Sequence, residues 1–139
     1  MPSIRRQINI AVAPTTVWRA LTTADGWKSW YADEARIDGR AGGRVVLQTQ
    51  DDDGNPVEEV GTIHTWRPTS RLEIAWDNGS KAVTKGTRVT FNIARDGEET
   101  RVSLIHAGAG VLEDAAGIKA LDDAWRQALS ALRDALEEA

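Results

Sequence analysis

His106 is the residue in this chain best placed to do chemistry. Val102, Leu104 and His106 share one face of the run Arg101 to Ala107 by simple alternation, so the imidazole stands at the end of an apolar strand face. There it could contact a bound molecule or move a proton near neutral pH. The same position suits a core histidine satisfied by hydrogen bonds, and the spacing leaves both readings open. His64 sits in Val60-Gly61-Thr62-Ile63-His64-Thr65-Trp66, where neither alternating set is plainly apolar, and it reads as a surface residue. Two histidines without His-x-x-x-His or Glu-x-x-His spacing do not make a closed zinc site, which normally takes four ligands. The chain has no cysteine, which excludes thiolate ligands, thiol nucleophiles and redox pairs. No metal and no cofactor is expected.

Other motifs fall short of chemistry. Asp51, Asp53 and Asn55 imitate the start of a calcium loop, but Pro56 stands where glycine is required and Thr62 where a bidentate glutamate belongs. The turn reads as a solvated hairpin tip. Gly108-Ala109-Gly110 follows an antiparallel strand and lacks the third glycine of a nucleotide fingerprint, and Asn78-Gly79-Ser80 reads as a turn. The acid pairs Glu58-Glu59, Glu98-Glu99 and Asp122-Asp123 are adjacent, so their side chains diverge, and all read as surface. No serine, histidine and acid form a recognisable nucleophilic motif.

The elements that must position His106 follow from periodicity. Residues 3–12 alternate, with Arg6 the exception among Ile4, Ile8 and Ile10, and predict a half-buried strand. Pro14 opens a short helix carrying Val17, Trp18 and Leu21, although Ala13 is a poor cap. Thr23 caps a second short helix, with Asp25 in its first turn and Trp27, Trp30 and Tyr31 beyond. Strands are predicted at Glu34 to Ile37, Arg44 to Gln50, Glu58 to Trp66, Leu72 to Trp76, Arg88 to Arg95 and Thr100 to Ala107. Asp96-Gly97 marks a hairpin between the last two, and Asp77 to Lys85 reads as a polar, mobile loop. From Leu112 to Glu138 an amphipathic helix places Ile118, Leu121, Trp125, Ala128, Leu129, Leu132, Ala135 and Leu136 on one stripe.

Composition bounds the class. The chain has 139 residues, 41% hydrophobic and 27% charged, which describes one globular domain spanning residues 1–139. Net charge is −4 with basic residues scattered among acids, which disfavours nucleic acid. No run approaches the ~20 apolar residues of a membrane span, and the N-terminal residues do not resemble a secretory signal. A cytoplasmic location is expected.

This order of elements resembles the helix-grip fold of the START-like, or SRPBCC, superfamily, and more closely the branch named after the activator of the heat-shock-protein-90 ATPase. The resemblance is carried by Pro14, Val17-Trp18, Leu21-Thr22, Trp27 or Trp30, Asp38 with Arg40 before Gly42-Gly43, Gly61, Pro68, Trp76, Thr100, and Val102, Leu104, His106 and Gly108. One departure is Ala124, where the family often has glycine before the tryptophan of the last helix. The resemblance implies an α+β fold, a curved antiparallel sheet of six or seven strands wrapped on the long C-terminal helix. It also implies an apolar cavity between sheet and helix that holds a lipid-like or aromatic molecule. Lining it are expected Trp66, Leu72, Ile74, Trp76, Val89, Phe91, Val102, Leu104, His106, Leu121 and Trp125. Two alternatives stand beside binding without catalysis: a cyclase- or hydrolase-type enzyme using His106 as acid or base, and an interaction module for a protein partner such as a chaperone.

Overall fold

The computed structural model describes residues 3–51, 53–77, 86–108 and 115–138. The chain runs β1 (Ser3–Ile10), α1 (Pro14–Thr22), α2 (Ala24–Trp30), β2 (Glu34–Ile37), β3 (Arg44–Gln50), β4 (Pro56–Arg67), β5 (Arg71–Trp76), β6 (Thr87–Asp96), β7 (Glu99–Gly108) and α3 (Ala115–Glu137). The strands form one antiparallel sheet in the order β1-β7-β6-β5-β4-β3-β2. This is the helix-grip arrangement expected from the resemblance, with seven strands and the long helix last. The polar loop and glycosylation-like triplet expected at 78–85, Gly108-Ala109-Gly110 beyond its first residue, and the first turn of the last helix at 112–114 lie outside the described residues.

The local reasons for each element are visible. Ala13 offers α1 no side-chain cap, so its backbone carbonyl receives the amides of Thr16 and Val17 while Pro14 occupies the first turn. Thr23 caps α2 by accepting from Gly26 N at 2.9 Å. The Thr23 hydroxyl also donates to Arg19 O at 2.8 Å, tying the two helices together. Gly97, at φ +63°, turns the β6–β7 hairpin in a conformation that suits glycine.

The core lies on the concave face. Inward alternation of β5, β6 and β7 buries Leu72, Ile74, Trp76, Val89, Phe91, Ile93, Val102, Leu104 and His106, and α3 lays Trp125, Leu129 and Leu132 over them. The polar exception in β1 has a partner: Arg6 donates from Nε and Nη2 to the two carboxylate oxygens of Asp122 on α3, at 2.8 and 2.9 Å. That bond holds the Asp122 carboxyl below its ordinary range. It also orients α3 across the edge strand.

In β4 the pairing shifts between Ile63 and Thr65, a bulge that inserts one extra residue. Before it Gly61 and Ile63 face inward, and after it Trp66 does, opposite Leu72. Alternation therefore changes sides within one strand, which is why neither face of that run reads as core.

Candidate functional site

His106 is completely buried at the end of β7. Trp125 reaches down from α3 and donates its indole N–H to Nδ1 at 2.8 Å, while Thr87 Oγ1 lies 2.7 Å from Nε2. An indole nitrogen only donates, so Nδ1 accepts, the ring proton sits on Nε2, and Nε2 donates to the threonine hydroxyl. Burial pushes the His106 pKa down to about 4. At neutral pH the ring is uncharged and both nitrogens are engaged. An acid or base role would require breaking one of these bonds.

Around this pair lies an aromatic cluster. Tyr31 stacks on Trp125 with ring centroids 5.9 Å apart, and Phe91 meets Trp125 edge-on at 6.1 Å. Trp27 contacts Phe91, Trp30 and Tyr31 in turn. The Tyr31 hydroxyl donates to Glu59 Oε1 at 3.0 Å. Glu59 is only 3% exposed, which corrects the surface reading of the Glu58-Glu59 pair: Glu58 is exposed, but its neighbour faces the core opposite Leu47. Burial first, then the charge of Glu59, holds the Tyr31 hydroxyl well above its ordinary pKa. It is a permanent donor.

Of the residues expected to line a cavity, Leu72, Ile74, Trp76, Val89, Phe91, Val102, Leu104, His106 and Trp125 are brought together as buried neighbours. Trp66 is half-buried, in edge contact with Trp18 at 5.0 Å, towards the opposite end of the sheet. Leu121 is half-buried beside Trp125 on α3. Sequence reasoning passed over Glu59, Tyr31 and Thr87. The first carried a signal in its register with the apolar strand β3, and the other two carried none.

An open groove of about 470 Å³ lies between the start of β1 and the first turns of α3. Ile4, Ala115 and Ile118 supply its apolar wall, and Ser3, Arg5, Lys119 and Asp122 its polar rim. Ile4 pairs directly with His106 across the β1–β7 ladder, so the groove adjoins the buried polar pair.

On the convex face His64 is exposed and bonds Glu73 through Nδ1 at 2.8 Å. Burial alone would raise the Glu73 pKa, but hydrogen bonds from Thr65, His64 and Thr90 outweigh it and hold the carboxylate below its usual range. The acidic turn is closed by Asp51 Oδ1, which accepts from the amides of Asp53 and Asn55. Among the described residues no three metal-ligating side chains gather, and no helix is long and apolar enough to cross a membrane.

Residues 11–137 match the model of the family described as "Activator of Hsp90 ATPase homolog 1-like protein". The chain belongs to this family. It lies within the START-like superfamily that the element order resembles. Among solved structures, an Aha1 dimer from Colwellia psychrerythraea superposes with a TM-score of 0.81 at 23% identity, covering 99% of this chain and 97% of that one. A Nitrosomonas europaea protein gives 0.82 at 20% identity over 99% and 95%. CalU16 from Micromonospora echinospora gives 0.76 at 23% over 96% and 75%. At these identities the likeness is one of fold. No curated protein matches the chain.

Proposed function

We propose that this protein binds a hydrophobic small molecule, lipid-like or aromatic, between the sheet and α3, without catalysing a reaction on it. The observation that carries this reading is the groove between Ile4 and Ile118, with its apolar wall, polar rim and volume within the usual range of ligand pockets. Ile4 pairs with His106 across the β1–β7 ladder, and the buried apolar residues of β5, β6 and β7 lie on the same face of the sheet. The neutral, doubly bonded His106 favours binding over acid–base chemistry, because it has no free nitrogen to offer. A cysteine-free chain of this family is read as working in the reducing cytoplasm.

The test is titration with naphthalene, 1-dodecanol and a sterol, followed by tryptophan emission and amide shifts. Binding is expected to perturb Ile4, Ile118 and Trp125, and Ile118→Asp is expected to weaken it at least tenfold by placing a charge on the apolar wall. If none of the probes changes either signal, the reading is wrong.

A further inference from the structure

The polar rim of the β1–α3 groove is electrically uneven. Asp122, the one carboxylate lining it among the described residues, accepts from Arg6 Nε and Nη2 through both oxygens, at 2.8 and 2.9 Å, and its charge is answered there. Lys119, also on the rim, lies 3.3 Å from Asp123 one turn along α3, but that carboxylate faces Arg126 as well, at 4.0 Å. Two cations thus share one acid. Arg5 is exposed on the rim and has no ion pair among the described residues. In the groove's lining and the residues ion-paired to it, Arg5, Arg6, Lys119 and Arg126 stand against Asp122 and Asp123. The described rim is therefore positive, in a chain whose net charge is −4.

Beneath this charge the wall is apolar. Ile4 is buried, Ile118 half-buried and Ala115 exposed. Alternation puts Arg5 on the opposite side of β1 from Ile4, yet both line the groove, because β1 is an edge strand of the sheet and the groove runs along that edge. Ser3, two residues from Arg5 and on its side of the strand, adds a hydroxyl to the rim. A molecule whose apolar body lies on Ile4 and Ile118 thus brings its polar end to the edge of β1, where Arg5 stands.

We propose that the groove takes an amphipathic acid, its alkyl or aryl body against Ile4, Ala115 and Ile118 and its carboxylate on Arg5, with Lys119 adding attraction from α3. This rests on the small-molecule reading above and narrows it to carboxylates over alcohols, amines and bare hydrocarbons. The guanidinium of arginine offers a planar pair of N–H donors that matches the two oxygens of a carboxylate, and the lysine ammonium supplies charge without that geometry. An uncharged alcohol gains the apolar contact alone. An amine meets charge of its own sign. Because the rim is open to water, where an ion pair contributes modestly, the preference is a matter of several-fold and is sensitive to salt.

Octanoate, 1-octanol and octylamine share one chain and differ in the head group. Titrated into the ¹⁵N-labelled full chain at neutral pH and low salt, octanoate is expected to bind about threefold or more tightly than 1-octanol, and octylamine more weakly than either, with amide shifts at Ser3, Arg5 and Ile118. Arg5→Gln, at an exposed position, should abolish the advantage of octanoate and leave 1-octanol binding within about twofold. Arg67→Gln removes the same charge at an exposed position on β4 and should leave the preference intact. Added salt should shrink the octanoate advantage in the wild type. Equal binding of octanoate and 1-octanol, or a preference that survives in Arg5→Gln, overturns this inference and leaves the binding reading standing. If none of the three binds while naphthalene or a sterol does, this inference falls alone; if nothing binds, both fall.

Discussion

Trp125 and His106 lock each other: the indole N–H of one, on the last helix, donates at 2.8 Å to Nδ1 of the other, on the last strand. The bond fixes the imidazole tautomer and joins α3 to the sheet at the centre of the aromatic cluster. Trp125→Phe keeps a ring against Tyr31 and Phe91 but strips Nδ1 of its donor. An unsatisfied buried acceptor costs about 1–3 kcal/mol, and the space left by the smaller ring adds to it. A total loss of roughly 2–4 kcal/mol is expected in urea unfolding.

The same pair sets a pH dependence. His106 titrates at about 4 in the folded protein, against 6.5 for the free side chain. Its folded pKa is lowered, so the unfolded chain takes up the proton first. This contribution is fully present above pH 6.5 and is lost as pH falls from there towards 4, amounting to about 3 kcal/mol at ~1.36 kcal/mol per pKa unit. His106→Gln offers an amide oxygen to Trp125 and an amide N–H to Thr87 without titrating. The difference between wild-type and variant unfolding free energies is expected to slope between pH 6.5 and 4 and be flat above. Equal slopes in both proteins would mean that His106 titrates normally.

How far the chain could be read follows from where its patterns are uninterrupted. Leu72, Ile74 and Trp76, then Val89, Phe91 and Ile93, alternate cleanly because they face a buried layer on one side and solvent on the other. Their placement on the core face was therefore legible. The run around His64 was not, since a bulge reverses the alternation and averages two faces into ambiguity. Arg6 looked like a flaw in β1 until Asp122, far along the chain, supplied its partner. Glu59 was misplaced because carboxylates are seldom buried, and only its register opposite Leu47 reveals the inward face. His106 was found by alternation, but its two partners each lie 19 residues away along the chain, beyond any local pattern.

Gly26 tests a conflict between propensity and packing. Alanine is favoured over glycine within a helix by about 1 kcal/mol. A Cβ at Gly26, however, would lie 2.5 Å from Arg19 O and 2.7 Å from Ala20 Cα. Both are backbone atoms of α1, which cannot step aside without disturbing the Thr23 cap and the burial of Leu21. The contact should win, and Gly26→Ala is expected to lower stability by about 1–3 kcal/mol, as overpacking does. A stabilised variant would show that α1 and α2 can slide apart freely.

Gly61 makes a similar demand within the sheet. Alanine there would press on Ala75 O at 2.8 Å and Trp76 Cε3 at 2.8 Å, one rigid and one a ring with buried surroundings. A strand interior gains little from glycine, so an ordinary position would tolerate or welcome the change. Here the expected result is a loss of about 1–3 kcal/mol in denaturant unfolding, together with a shift of the Trp76 indole resonance as its ring is displaced. An exposed strand position provides the control: Arg95→Ala should change stability by no more than about 0.5 kcal/mol and leave that resonance in place. If Gly61→Ala behaved like the control, Trp76 would not be seated over Gly61.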